Sequence, residues 1–363
     1  MEKLKVLHVI EALGGGVYSY FTDLSHVMGA DNRLEVFIAY SNKRKEINPD
    51  DVSKDFQPNC KLILLDLVKE INPLKDLQGY LEIKKCIKRV RPHVVHFHSS
   101  KAGILGRLAI RSFKSTPSFY TPHGYAFLRK DVSDKKSKFF RALEKNFAKF
   151  SKTKTIACGD TEFEIAKKFE ESPYLIRNGI RLELMPEKIE RTNSKRLIVG
   201  TLGRISPQKN PKLINQYISL SPEIDFLWIG DGELSGLLTS PNIKKTGWFT
   251  DRTKALPHML KLDIFIQVSL WEGLPIAMIE AMAMGLPVIA SNVIGNKDLV
   301  DHGKTGFLVD NDNDYLIALN TLKDQKIRFE MGKAAKKKVR ELYNCNKNFK
   351  QLADLYIDAV SNI

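Results

Sequence analysis

Two patterns of apolar and polar positions alternate along this chain. Short apolar runs, mostly bounded by Gly, Pro, Asn or Asp, fit buried parallel strands. Stretches with apolar residues three and four apart fit helices. The strands expected first are Lys5–Ile10, Leu34–Tyr40, Lys61–Leu67, Val94–His98, Ser118–Tyr120, Thr155–Cys158 and Tyr174–Ile176. Helices are expected at Val17–Met28, Leu81–Arg91, Lys135–Phe150 and Thr161–Phe169. The polar stretch Glu183–Lys195 interrupts this and reads as a linker. The pattern then restarts with strands at Leu197–Leu202, Phe226–Ile229, near Lys244, Ile264–Val268, Pro287–Ala290 and Gly303–Val309, and basic helices run from Ile327 to the end. Strands alternating with helices predict an α/β chain with parallel sheets. A length of 363 residues suits two domains, each with its own core.

Composition changes this picture in one respect. A hydrophobic fraction of 43% is ordinary for a globular chain. No apolar run reaches the ~18–20 residues of a membrane span. The start, MEKLKVLHVI, enters a strand directly and lacks a signal-peptide cleavage site. Cys60, Cys86, Cys158 and Cys345 are scattered, which suits unpaired thiols in a reducing cytosol. The net charge of +15 is concentrated: Lys84–Lys154 holds 19 Lys and Arg against three acids, and the rest is near neutral. Such a region suggests an anionic partner, lipid or nucleic acid. No Arg/aromatic nucleic-acid recognition motif accompanies it, so a nucleic-acid partner is not expected.

Candidate chemistry falls where strands end, the edge at which parallel sheets gather ligands. Gly14, Gly15 and Gly16 follow the first strand and open a helix, a geometry that lets backbone N–H groups approach phosphate or simply makes a tight turn. The spacing is not Gly-x-Gly-x-x-Gly, so a dinucleotide site is not expected. His96 and His98 share one face of the fourth strand, but two imidazoles without a third ligand nearby make a poor metal site. Packing and loop anchoring are expected of them. His123 stands at another strand end beside Gly124. Arg204 and Lys209 follow Leu197–Leu202, where Arg grips a diphosphate by paired donors and Lys as a point charge. In DIFIQVSLWEGLPIAMIEAMAMG, Asp263–Gly285, strand, loop and helix follow one another, with Pro275 at the helix start and Gly285 at its end. Glu272 lies in that loop and Glu280 in the helix, whose unpaired N–H groups attract phosphate.

Glu272-x7-Glu280 within SLWEGLPIAMIEAMAMGLPVIAS resembles the signature of family-4 retaining glycosyltransferases, enzymes of the GT-B fold. GRISPQKN resembles that family's diphosphate-binding segment, and VHFHSSKAGILGRLA with YTPHGYAF its capsule, O-antigen and exopolysaccharide branch. The resemblance implies two Rossmann-like domains facing across a cleft: 1–185 for the acceptor and 186–345 for a nucleotide-sugar. A last helix over 346–363 is expected to return to the first domain. His123, Glu272, Arg204 and Lys209 are implied to serve catalysis. Gly15, Gly16, Gly230, Trp248, Gly273, Leu274, Pro275, Ile276 and Glu280 are implied to bind the donor. Gly14, His98 and Lys101 are taken as acceptor contacts. The family usually carries two glycines and a Glu where this chain has Gly295, Asn296 and Asp298.

The implied reaction moves a sugar from a nucleotide-diphosphate donor, expected to be a UDP-sugar, to a lipid-linked saccharide with retention of configuration. Same-face attack and a protein nucleophile both give retention. Arg204, Lys209 and the helix start near Gly273–Ile276 are expected to meet the leaving charge, so no metal and no cofactor are expected. A cytoplasmic location on the inner membrane face is expected, with the basic region against anionic lipid. Helix 135–150 either buries its stripe of Phe139, Leu143, Phe147 and Phe150 in the core or lies in the membrane surface. The rivals are a GT-B sugar-nucleotide epimerase or hydrolase and a non-catalytic basic binding protein.

Overall fold

The computed structural model describes residues 2–11, 13–43, 49–56, 60–68, 71–187, 196–249 and 251–362. The chain forms two compact units, Met1–Asn178 with Cys345–Ile363, and Gly179–Asn344. The terminal helix, expected from residue 346, thus belongs to the first unit. The segment expected as a linker is described only through Glu187, and that part belongs to the second unit; residues 188–195 lie outside the described residues.

In the first unit the elements run β1 (Leu4–Ile10), α1 (Gly16–Gly29), β2 (Leu34–Tyr40), α2 (Pro49–Phe56), β3 (Lys61–Leu64), α3 (Pro73–Val90), β4 (Val94–His98), α4 (Ser100–Ala109), β5 (Ser118–Thr121), α5 (Asp134–Phe150), β6 (Lys154–Ala157), α6 (Asp160–Ala166) and β7 (Tyr174–Leu175). Its sheet is parallel, ordered β3-β2-β1-β4-β5-β6-β7, a doubly wound arrangement whose switch point lies between β1 and β4. Strand alternation divides the core in two. Val6, Ile10, Ile38 and Phe119 meet Phe21 and Leu24 of α1, and Leu352 and Tyr356 of the last helix. Leu7, Val9, Val95 and Phe97 meet Ile83 and Ile87 of α3 and Leu105 of α4 on the other face.

In the second unit β8 (Ile198–Leu202), α7 (Pro211–Ser219), β9 (Asp225–Ile229), β10 (Ile243–Lys245), α8 (Arg252–Met259), β11 (Ile264–Gln267), α9 (Ile276–Ala283), β12 (Val288–Ser291), α10 (Asn296–Leu299), β13 (Gly306–Val309), α11 (Asp312–Thr321) and α12 (Gln325–Leu342) follow. This sheet is also parallel, ordered β10-β9-β8-β11-β12-β13, with its switch point between β8 and β11. The last helix is α13 (Cys345–Ser361), which packs on α1.

Several local expectations are corrected. Helix α3 begins at Pro73, two turns before Leu81, because Asn72 accepts the Lys75 amide N–H (3.1 Å) and Pro73 fits the first helical position. Helices α2 and α8 carry few apolar residues, and in α11 the apolar residues Tyr315–Leu319 are consecutive, so no helical spacing stands out. Gly303 belongs to a turn at φ 76°, so β13 starts only at Gly306. On α5 the expected stripe is split: Leu143 and Phe147 are half-buried, but Phe139 is 56% exposed and Phe150 80%. What α5 buries is Glu144, which accepts from Arg107 (2.7 Å) and the Tyr120 hydroxyl (2.9 Å). All four cysteines are free and buried.

Candidate active site

In the second unit the loops after β8 and β11 converge at the switch point. Leu270 donates its amide N–H to the Gln208 carbonyl (2.8 Å), which ties the two loops together. Lys209 Nζ then reaches Glu272 Oε1 at 2.8 Å, and Gln208 Nε2 donates to Glu272 Oε2 at 3.1 Å. Gln267, the last residue of β11, donates to Glu272 Oε1 at 3.2 Å. The Glu272 side chain is 7% exposed and that of Lys209 16%, so the pair is largely withdrawn from water and strengthened accordingly. Arg204 is half-buried on the same β8 loop. Two close backbone approaches fix this edge. A Cβ at Gly230, where φ is 137°, would lie 2.3 Å from the Gly203 carbonyl oxygen, and one at Gly295 would lie 2.2 Å from that of Gly273. Any side chain at either position drives two loops apart.

Helix α9 starts after Pro275, with Leu274 and Ile276 buried, and Gly285 takes φ 82° past its end. Its first-turn N–H groups lie at the helix end where the sequence leads one to expect an anion. Glu280 is buried on α9 and ion-paired with Arg252 of α8. Asn296 is fully buried; its amide donates to the Gln267 carbonyl (3.2 Å) and to the Ser291 carbonyl (3.1 Å). The departure at Gly295–Asp298 therefore pins the β12 loop to the end of β11. Trp248 lies past β10, 42% exposed.

In the first unit Gly14 is buried, while Gly15, at φ 56°, is the residue before α1 and is exposed with Gly16. Glu11 accepts from the Ser99 hydroxyl and, at 3.3 Å, from the Ala102 amide, tying the end of β1 to the start of α4. His123 adopts a left-handed backbone at φ 52°, unusual for a residue with a side chain, and Gly124 follows at φ 94°. The Gly124 amide donates to Glu162 Oε2 (2.9 Å), which holds the turn. His123 Nε2 lies 3.0 Å from His98 Nδ1. Burial pushes the His123 imidazole down to about 3, so it is neutral at physiological pH.

Two residues expected on the acceptor side are largely withdrawn from water. His98 is fully buried and lies against the His123 ring. Lys101 is bridged to Asp76 of α3 at 2.6 Å and is only 14% exposed. The sequence reading also missed a third imidazole. His8 on β1 meets His96 and His98, and these three are the described group whose ligand atoms lie close enough, within 4.8 Å, for a metal. The remaining missed residues are Gln208, Gln267 and Arg252. Neutral amides and a lone Arg give no signal of their own, since their roles exist only in contact with Glu272 and Glu280.

Two doubly wound parallel sheets, each with polar side chains gathered at its carboxyl edge, define a GT-B glycosyltransferase. Residues 14–184 match the model "Glycosyltransferase Family 4" and residues 186–338 the model "Glycosyl transferases group 1". The Escherichia coli UDP-Gal:alpha-D-GlcNAc-diphosphoundecaprenol alpha-1,3-galactosyltransferase is 35% identical over 82% of this chain and 83% of its own. This chain therefore belongs to glycosyltransferase family 4. The Staphylococcus aureus capsular polysaccharide biosynthesis glycosyltransferase CapM is 24% identical over 81% of this chain and 84% of its own. Among solved structures, sucrose-phosphate synthase from Thermosynechococcus elongatus superposes with a TM-score of 0.82 at 18% identity, covering 99% of this chain and 100% of that one. The Anabaena protein HepE with UDP and glucose gives 0.75 at 17% identity, over 97% and 99%. Both show the fold.

Proposed function

We propose that this glycosyltransferase moves a sugar from a UDP-sugar to a saccharide carried on a lipid diphosphate, in bacterial surface-polysaccharide synthesis. The observation that carries the reading is the largely buried Lys209–Glu272 pair at the ends of β8 and β11, on the same β8 loop as Arg204. One ammonium there serves both a carboxylate suited to sugar hydroxyls and a departing diphosphate. The name of the 35% identical relative supports the donor and acceptor class.

In the proposed reaction the bond between the anomeric carbon and the diphosphate oxygen breaks first. The ring gains oxocarbenium character, and negative charge builds on the diphosphate. Arg204, Lys209 and the first-turn N–H groups of α9 meet that charge. The acceptor hydroxyl then bonds to the anomeric carbon on the face the diphosphate left, giving retention, and its proton passes to the diphosphate. Glu272 holds sugar hydroxyls, Glu280 the ribose, and His123 a further sugar hydroxyl. Cationic side chains supply the charge, so turnover is expected to persist in chelator.

The same reading places the enzyme on the cytoplasmic face of the membrane. Leu74, Leu77 and Leu81 are exposed along one side of α3, and Phe139 and Phe150 are exposed on lysine-rich α5. Apolar insertion beside basic residues is the usual means of holding a helix in an anionic interface. Liposome flotation tests this: salt-sensitive binding to anionic but not neutral vesicles is expected, and its absence removes the membrane surface from the proposal.

The activity test incubates the purified chain with UDP-sugars and a synthetic lipid-diphosphate saccharide, with and without chelator. Mass spectrometry and the anomeric proton coupling of the product report transfer and configuration. Free sugar released with no dependence on acceptor supports the hydrolase reading instead.

A further inference from the structure

Beneath His123 lies a chain of imidazoles. His8 and His96 are register partners across β1 and β4, and Ile10 pairs with His98. Strand alternation sets His8, His96 and His98 on the face covered by α1 and α13, where all three are fully buried. His8 Nδ1 lies 3.0 Å from His98 Nε2, and His98 Nδ1 lies 3.0 Å from His123 Nε2. Every link needs one proton between two nitrogens, so with neutral rings the chain points one way or the other.

His96 shows how neighbours fix a proton here. The Thr121 hydroxyl donates to the Ile156 carbonyl (2.8 Å), so it accepts from His96 Nε2–H (2.9 Å). His96 Nδ1 then accepts from the Tyr356 hydroxyl at 2.5 Å. Both nitrogens are satisfied in one neutral tautomer, which leaves His96 no unused lone pair to share with His8 and His98.

For the chain, the deciding atom is His8 Nε2, buried without a hydrogen-bond partner. Were the protons to run toward His8, that atom would carry an N–H with nothing to accept it. Folded proteins rarely bury such an N–H, and under-used lone pairs are commoner. With the protons running the other way, His8 Nδ1–H donates to His98, and His98 Nδ1–H donates to His123 Nε2. The His123 proton is then left on Nδ1, which makes no hydrogen bond among the described residues. Desolvation lowers His8 to about 3 and His98 well below the usual imidazole value, which keeps one proton on each ring.

We propose that His8 and His98 are positioning residues that hold His123 as its Nδ1–H tautomer, so that it meets substrate as a hydrogen-bond donor. The group it recognises is an acceptor oxygen, such as that of a sugar hydroxyl. This last step rests on the functional reading of His123; the tautomer does not.

The test is NMR of the whole chain labelled with heavy-nitrogen histidine, near neutral pH, with a His123→Asn variant to assign the ring. Chemical shifts separate protonated from bare ring nitrogens. A protonated Nδ1 and a bare Nε2 on His123 are expected. The opposite tautomer, or an imidazolium, overturns the proposal. Two variants carry the test to activity. His98→Leu removes the donor and is expected to lower kcat about tenfold, the low end of the loss found for outer partners of site histidines, with acceptor KM little changed. His98→Asn places an amide N–H near the lost Nδ1 and is expected to restore both the His123 tautomer and most of kcat. Equal kcat in His98→Leu and wild type counts against the positioning role. The expected tautomer in a chain with no transferase activity leaves the relay standing and sinks the functional reading.

Discussion

At the ends of β1, β4 and β5 the first unit gathers imidazoles, whereas at the ends of β8 and β11 the second gathers ion pairs. Both sheets are parallel and doubly wound, and both clusters stand at the switch point. The difference lies in what covers them. His8, His96 and His98 lie under Phe21 of α1 and Tyr356 of α13: by ring centroid His8 is 5.9 Å from Phe21 and 6.0 Å from Tyr356, His96 is 5.9 Å from Tyr356, and His98 is 4.8 Å from Phe21. Burial there disfavours charge, and the rings are held neutral. Lys209 and Arg252 keep 16% and 18% of their side chains exposed, whereas Glu272 and Glu280 are buried, and each carboxylate is met there by an opposite charge. The same architecture therefore yields an uncharged wall that orients hydrogen bonds and a charged wall suited to a diphosphate.

The sharpest way to break this contrast is Arg204→Ala. Loss of one charge-stabilising donor is expected to lower kcat by about 100- to 1000-fold with the thermal midpoint unchanged. Near-normal turnover would remove the diphosphate role from the second cluster. Lys209→Ala comes next, because it also leaves Glu272 without its counter-charge. Gln208 and Gln267 still donate to that carboxylate. A stability loss of about 1–3 kcal/mol by urea unfolding should accompany the drop in turnover. If only activity changes, the pair contributes nothing to the fold.

The first cluster predicts a pH response of defined sign. His8 and His123 have folded values near 3, below the unfolded value of about 6.5, so the unfolded chain binds more protons between those limits. The neutral rings therefore contribute stability that is complete above about pH 6.5 and declines as pH falls toward 3. Ordinary carboxylates titrate lower, though burial pushes Glu170 up, so the interval from about pH 6.5 to 5 reports chiefly on the histidines. A urea midpoint that stays flat across it contradicts a dry, neutral cluster. The smallest effect expected is for Tyr356→Phe, which removes the hydroxyl donor to His96. A loss of about 1 kcal/mol with turnover unchanged would keep that bond structural; a fall in kcat would tie His96 to the site as well.

The sequence alone determined the two-block α/β pattern, because apolar runs of strand length between helical periods leave few other ways to bury those residues. It also determined which loops end at the ligand edge, since Gly203–Lys209 and Glu272–Pro275 follow their strands directly. The exposed Phe139 and Phe150 were not legible, because helical spacing says which residues share a face and not whether anything covers it. His8 was missed for a related reason: it lies 88 residues from His96 and looks like one polar position in an apolar strand. Tertiary structure alone decided that the imidazoles of β1, β4 and the β5 loop touch, that Asn296 braces Gln267, and that Arg252 meets Glu280. Those pairings arise from strand order and loop packing across long separations, which local periodicity does not encode.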